Sequence, residues 1–219
     1  MKNINYRYDV INHISKKYGF TKYLEIGVRN PNDCFNHINI ESKQSVDPGY
    51  EVTINTATYK FTSDDFFEKL HNGELDLVSD YQWDIIFVDG LHLAPQVYKD
   101  ILNSLQHISS KGVVVLHDVN PFLYESMYTR MIEDYHGQAW NGTVWKPIYQ
   151  LRTERSDLSI CTLNIDEGIG LIKKGSQELI PHTNKFFEYK ELEKDTKNSL
   201  NTLDVHRLDE WLESYNNIK

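Results

Sequence analysis

The chain has 219 residues, with 23 Lys plus Arg against 32 Asp plus Glu, for a formal net charge of −9. A hydrophobic fraction of 40% with 12% aromatics is the composition of a folded chain, and the length suits one domain with an extension. An acidic chain without a basic run argues against a general nucleic-acid binder, whose affinity comes mainly from phosphate contacts.

The N-terminus, Met1 to Tyr8, is polar and lacks the apolar core of a signal peptide, so a cytoplasmic location is expected. Tyr8, Ile11, Ile14 and Tyr18 recur at helical spacing, and Gly19 fits a C-terminal stop. Tyr23 to Val28 reads as a short buried strand, Lys43 to Asp47 as a second, and Ala57 to Phe61 as a third. Ser63 or Asp64 is placed to cap a helix through Leu70, ending near Gly73. Asp84 to Asp89 is the cleanest strand, apolar through its middle as expected when both faces are covered. A helix is predicted from Ala94 to Ile108, with Val97, Ile101, Leu105 and Ile108 on one face, then a strand over Gly112 to His117.

Tyr124 to Tyr135 and Thr143 to Arg152 carry helical patterns. Leu158–Leu163 and Ile169–Lys173 are strands joined by a turn at Asp166, Glu167 and Gly168, too short for a parallel crossover, so they must pair antiparallel. The charged tail from Pro181 carries one amphipathic helix on Val205, Leu208, Leu212 and Tyr215. Apolar strands alternating with amphipathic helices predict an α/β fold. Its sheet is Rossmann-like, doubly wound and mostly parallel, with an antiparallel edge pair near the C-terminal side. The expected organisation is a domain over residues 1–180 and a helical extension over 181–219 packed on it. The longest apolar runs, Ile85–Val88 and Val113–Leu116, fall far short of the ~20 residues of a membrane span, so no membrane partner is expected. Cys34 and Cys161 form no C-x-x-C, which argues against a disulfide framework and a cysteine zinc site.

In an open parallel sheet, ligands bind beyond the carboxyl ends of the strands. Four polar clusters fall there: Glu25-Ile26-Gly27, Asp47-Pro48, Asp89-Gly90-Leu91-His92 and His117-Asp118-Val119-Asn120. The run from Gly27 to Asn32 has one of the three glycines of a dinucleotide fingerprint, and no P-loop occurs. Asp47, 20 positions after Gly27, can accept hydrogen bonds from both hydroxyls of a ribose. These positions suit an adenosine-type ligand without a pyrophosphate; the alternatives are a plain turn at Gly27 and a cap at Asp47. Ser63 and Asp64 either meet an adenine amino group or serve as an N-cap.

Asp89 and His92 flank a sharp turn. Asp89, His117 and Asp118 are a candidate divalent-cation set, with Asn120 as a further oxygen ligand or substrate contact. His92 is alternatively a general base, and both histidines alternatively satisfy buried polar groups. Trp140, Asn141 and Trp145 follow, with aromatic faces and an amide suited to a sugar; the alternative is that the tryptophans anchor the next helix in the core.

With these residues in place, the chain resembles class I S-adenosylmethionine-dependent methyltransferases. Tyr23 to Val28 looks like their first motif, Asp47 matches the ribose-holding acid, and Ser63-Asp64 resembles the adenine-side position. The run from Ile86 through Asp89-Gly90-Leu91-His92 to Val114-Val115-Leu116-His117-Asp118 looks like the branch that includes sugar O-methyltransferases. The resemblance runs from about Thr21 to Gly175. It implies that Glu25 and Gly27 support the amino-acid end of the cofactor, that Asp47 holds the ribose, and that Asp89 stands near the methionine amine or ligates a metal. In relatives such as catechol O-methyltransferase and the macrolide-sugar enzymes, carboxylates at these two strand ends hold magnesium. The macrolide-sugar enzymes also carry a histidine base three residues after the first carboxylate, where His92 stands. Two positions depart from the pattern. Arg29 replaces a common glycine, and His117 stands where the metal-dependent sugar enzymes have a carboxylate, leaving open a magnesium site, a softer ion or a metal-free site.

The implied activity is methyl transfer from S-adenosylmethionine to a hydroxyl of a sugar, sugar conjugate or other small polar acceptor, with His92 as base. The homo-oligomeric state is open. The rival from another class is a non-catalytic nucleoside-binding subunit of a larger assembly, for which Asp47 matters and His92 does not. A nicotinamide dehydrogenase is disfavoured by the broken glycine fingerprint.

Overall fold

The computed structural model describes residues 4–121 and 140–214. The helix predicted over Tyr124 to Tyr135, and Tyr215 of the tail, lie outside the described residues. The chain divides into two compact units, Met1–Leu91 with Gln96–Val115, and His92–Pro95 with Leu116–Lys219.

The first unit starts with α1 (Arg7–Tyr18), whose Val10, Ile11 and Ile14 are buried at helical spacing. Asp9 accepts from the backbone N–H groups of Asn5 and Tyr6, both at 3.1 Å, closing its first turn. Gly19 ends it in the left-handed conformation, its N–H bonded to the Ser15 carbonyl. The strands β1 (Lys22–Ile26), β2 (Ser42–Val46), β3 (Trp83–Val88) and β4 (Ile108–Leu116) follow, with α2 (Ser63–His71) and α3 (Ala94–His107) between them. The order is β2-β1-β3-β4, and β1 pairs in parallel with both β2 and β3. β3 is buried at every position but Asp84, which accounts for its continuous apolar run.

Two local expectations are corrected here. The strand expected over Ala57 to Phe61 is only a single bridge, Val46 to Tyr59. The cap of α2 is Thr62, whose hydroxyl accepts from the Asp65 N–H at 3.1 Å, while Ser63 and Asp64 already lie inside the helix. Three candidate caps stand in a row, and the one with extended backbone takes the role.

In the second unit, α4 (Trp145–Glu154) precedes β5 (Leu158–Leu163) and β6 (Ile169–Lys174). β5 and β6 pair antiparallel in the register Ile160 to Ile172, as the short turn requires. The tail holds α5 (Tyr189–Lys194), α6 (Thr196–Ser199), β7 (Thr202–Leu203) and α7 (Leu208–Glu213), not one helix. β7 adds in parallel to β5, giving the order β6-β5-β7. The buried Lys173 donates to the carbonyls of Trp211 and Leu212, at 2.7 and 3.0 Å, and so closes the end of α7. The expected fold class is what is found: a Rossmann-like, mostly parallel α/β arrangement with an antiparallel pair towards the C-terminus. Among the described residues, no helix is long and apolar enough to cross a membrane.

Asp84 interrupts β3 with a charge because its carboxylate ties three elements of the first unit. It accepts from the N–H groups of Thr21 and Lys22, at 3.0 and 3.1 Å, and from the Ser109 hydroxyl at 2.9 Å. Asp84→Ala should lower stability by about 1–3 kcal/mol, read as a shifted midpoint at unchanged slope in urea unfolding.

Candidate functional site

Within the first unit, the carboxyl ends of β1, β2 and β3 meet at Gly27. This residue has φ 86°, and a Cβ there would lie 2.3 Å from the Asp89 carbonyl oxygen and 2.4 Å from Gly90 Cα. The Gly27 N–H donates to Val46, and the Asp89 N–H to Ile26, both at 2.9 Å. Only glycine allows this approach. The loop then passes through Arg29 at φ 43°, so the backbone keeps a glycine-like conformation at the residue that departs from the family pattern.

Asp47 controls that loop. Its Oδ2 accepts from the N–H groups of Val28 and Arg29, at 2.8 and 2.9 Å, and its Oδ1 from Gly49 at 2.6 Å. Two lone pairs per oxygen leave one further acceptor direction, on Oδ1. Asp47 therefore organises the first loop.

Glu25 is buried at the end of β1, and the Tyr23 hydroxyl donates to its Oε2 at 2.5 Å. Cys34 lies 3.9 Å from the Tyr23 oxygen. Burial outweighs that hydrogen bond and, with the Asp89 charge adding to it, pushes the Glu25 carboxyl up to about 8. Burial likewise raises the Cys34 thiol, which marks it as packing and not as a nucleophile. Asp89 is held by Arg7 from the first turn of α1, with Nη1 3.0 Å from Oδ2. Ser63 and Asp64 are engaged by α3. Gln96 Nε2 reaches the Ser63 hydroxyl at 3.1 Å and Asp64 at 2.9 Å, and Lys99 pairs with Asp64 at 2.7 Å. The Gln96 hydrogen bond, then Lys99, lower the Asp64 carboxyl below its usual value.

The second unit has its own polar cluster. His92 Nδ1 lies 2.9 Å from the Trp140 carbonyl oxygen and 3.3 Å from Asp118 Oδ2, and its ring stacks on Trp140 at 5.0 Å. Its carbonyl accepts from the Thr143 N–H at 2.8 Å, and a Cβ on Gly142 would lie 2.2 Å from that oxygen. The segment Trp140–Thr143 is thus moulded onto His92. Asp118, buried with φ 60°, accepts from Asn141 Nδ2 at 2.8 Å, and its Oδ2 lies 3.2 Å from His117 Nδ1. His117 Nε2 lies 3.6 Å from Asp166. Asn141 is buried, and among the described residues its Oδ1 meets no hydrogen-bond partner. Glu167 stands near Asn141, and burial raises its carboxyl, with the Asp118 and Asp166 charges adding to the effect. Asn120 turns to Asn164 at 3.0 Å, and its N–H donates to the Glu167 carbonyl.

Trp145 is corrected. Its ring is fully buried in contact with Tyr149 and Phe187, so it is the core anchor and presents no face for a substrate to stack on. Four other residues of these clusters escaped the sequence reading of the site. Arg7 reads only as part of the polar N-terminus, and Tyr23 only as part of a strand and of the first motif. Asp166 and Glu167 were seen only as a turn. Their one available signal was that this turn joins the antiparallel pair.

Residues 25–119 match the family model of a methyltransferase domain. The fold is similar to that of a Klebsiella pneumoniae protein assigned as an O-methyltransferase, with TM-score 0.51 and 12% identity over 76% of this chain and 78% of that one. It is similar also to the O-methyltransferase from Bacillus cereus in complex with S-adenosylhomocysteine, with TM-score 0.50 and 12% identity over 75% and 78%. A comparison with curated protein sequences gives no match. Residues 25–119 are thus similar to a methyltransferase domain, and the fold is similar to that of O-methyltransferases.

The buried Glu25 has a consequence for stability. Below about pH 4.5 folded and unfolded chains both hold its proton. Between about 4.5 and about 8 only the folded chain does, so its contribution falls as pH rises through that window and levels off above it. Glu25→Gln should flatten the decline of melting temperature between pH 5 and 8, with the wild type losing ground against the variant as pH rises.

Proposed function

We propose that this enzyme transfers the methyl group of S-adenosylmethionine to a hydroxyl oxygen of a small polar acceptor, a sugar or sugar conjugate, with His92 as general base. The observation that carries the reading is the setting of the His92 ring. A carbonyl oxygen only accepts, so the 2.9 Å contact to Trp140 requires the proton on Nδ1. The basic lone pair then lies on Nε2. Asp118 beside the same Nδ1 stabilises the imidazolium that forms when Nε2 takes a proton. Stacking on Trp140 fixes the ring plane.

S-adenosylmethionine supplies an electrophilic methyl on a sulfonium. Glu25, Gly27, Asp47 and Asp89 would hold it at the ends of β1, β2 and β3, with Ser63 and Asp64 on the adenine side. The strand-end carboxylates and the close glycine turn suit an adenosine carrying an amino acid. In the reaction the C–S bond breaks, the O–C bond forms, and the hydroxyl proton passes to His92 Nε2. Asn141 supports a hydroxylated acceptor. Its buried Oδ1 is an unmatched acceptor whose desolvation a donor hydroxyl would offset. Asn120 and Trp140 are the further contacts we assign to the acceptor. The histidine three residues after Asp89 supports the carbohydrate class, since this is the spacing of the sugar branch.

This reading gives the proton transfer to His92 and routes no step through a divalent cation. Asp89 is paired with Arg7, and Asp118 lies between two imidazoles and an amide. This nitrogen-rich setting suits magnesium poorly.

His92→Ala should lower kcat by roughly 10²- to 10⁴-fold while calorimetric affinity for S-adenosylhomocysteine stays within about twofold. Unchanged turnover would remove His92 from the mechanism. Turnover of the wild type should survive EDTA, and a loss restored by magnesium would assign Asp89, His117 and Asp118 to a metal instead.

A further inference from the structure

We infer that Arg7 is a cofactor-binding residue that takes the carboxylate of the methionine end while Asp89 takes its ammonium, so that the ion pair joining α1 to the end of β3 is a template for a zwitterion. The inference rests on the S-adenosylmethionine reading above. The amino-acid end of that cofactor carries one positive and one negative group. A partly buried site must match both, because an unmatched charge loses its hydration without return. The strand ends of the first unit provide acidic groups in plenty: Glu25, Asp47 and Asp89. A cation beside Asp89 is Arg7, whose guanidinium lies 3.0 Å from that carboxylate.

Three observations favour a ligand role over a tie between helix and strand alone. First, the pair is neither at the open surface nor in the core; the Arg7 and Asp89 side chains are 20% and 17% exposed. Second, the Asp89 N–H reaches the carbonyl of Ile26, the last residue of β1, at 2.9 Å, so the pair lies at the strand end where the cofactor's amino-acid end is expected. Third, α1 holds Arg7 in place without help from the pair. Val10, Ile11 and Ile14 are buried, Tyr8 stacks on His37 at 4.5 Å, and Asn12 exchanges hydrogen bonds with His37 and Asn39, both at 2.8 Å. A guanidinium carries five N–H donors in a planar fork, so it can hold a side-chain carboxylate and a ligand carboxylate together.

The test compares S-adenosylhomocysteine with S-adenosyl-3-thiopropylamine, the same molecule without its carboxylate, by calorimetry. Wild type should prefer S-adenosylhomocysteine. Arg7→Gln should weaken S-adenosylhomocysteine about tenfold, equivalent to about 1.4 kcal/mol, and leave the thiopropylamine within twofold, so that the preference collapses. Equal weakening of both ligands, or of neither, overturns the assignment and leaves Arg7 a structural tie. If Arg7→Gln fails to fold, Arg7→Lys decides by the same ratio: a selective loss for S-adenosylhomocysteine supports the role, and an equal change overturns it. Wild-type protein that binds neither ligand overturns the cofactor reading itself, and with it this inference. That result differs from a wild type that binds both and a variant that keeps the preference.

Discussion

The approach of β1 to β3 at Gly27 is the constraint on which the first unit's site depends. No side chain fits between Gly27 and the Asp89-Gly90 backbone. That closeness lets the Asp89 N–H reach the Ile26 carbonyl beyond the last paired residues of the strands. Beyond that point the chain must turn, and the turn is held by Asp47, whose carboxylate collects the N–H groups of Val28, Arg29 and Gly49. A loop with few glycines thereby reaches the path that glycine-rich loops take freely. The left-handed Arg29 is the strained residue of that path, and two hydrogen bonds to a charged group hold its segment in place.

The two units handle their polar residues differently. In the first, a carboxyl is buried on an apolar strand and kept neutral. Glu25 sits behind Tyr23, and its cost is contained by protonation and not by a counter-ion. In the second, a carboxylate is surrounded by nitrogen groups. Asp118 has Asn141 on one oxygen and two imidazoles near the other. The glycine turn at Gly142 and the Thr143 N–H on the His92 carbonyl hold the His92 backbone in place.

The charged tail shows how little composition says about role. Its amphipathic residues Leu208 and Leu212 are buried as their spacing suggests. Its two-residue strand has no pattern long enough to read, because a strand that short is specified by its partner. Thr202 and Leu203 are a strand only because β5 offers them a parallel edge. Lys173, a charge in the middle of a buried strand, has the same explanation, since it meets the terminal carbonyls of α7.

The amino-acid sequence alone determined the alternation of strands and helices, the antiparallel β5–β6 pair and the strand-end positions of Glu25, Asp47, Asp89, His92 and Asp118. These follow from periodicity and chain length, which act within a few residues. The tertiary structure decided what those side chains do. It chose Thr62 over Ser63 as the cap, and it put Trp145 in the core. It gave Asp89 a partner 82 residues away in Arg7 and His92 a partner 48 residues away in the Trp140 carbonyl. Hydrogen bonds and ion pairs across such separations leave no period in a sequence. They exist only once the backbone has brought the groups within about 3 Å of each other.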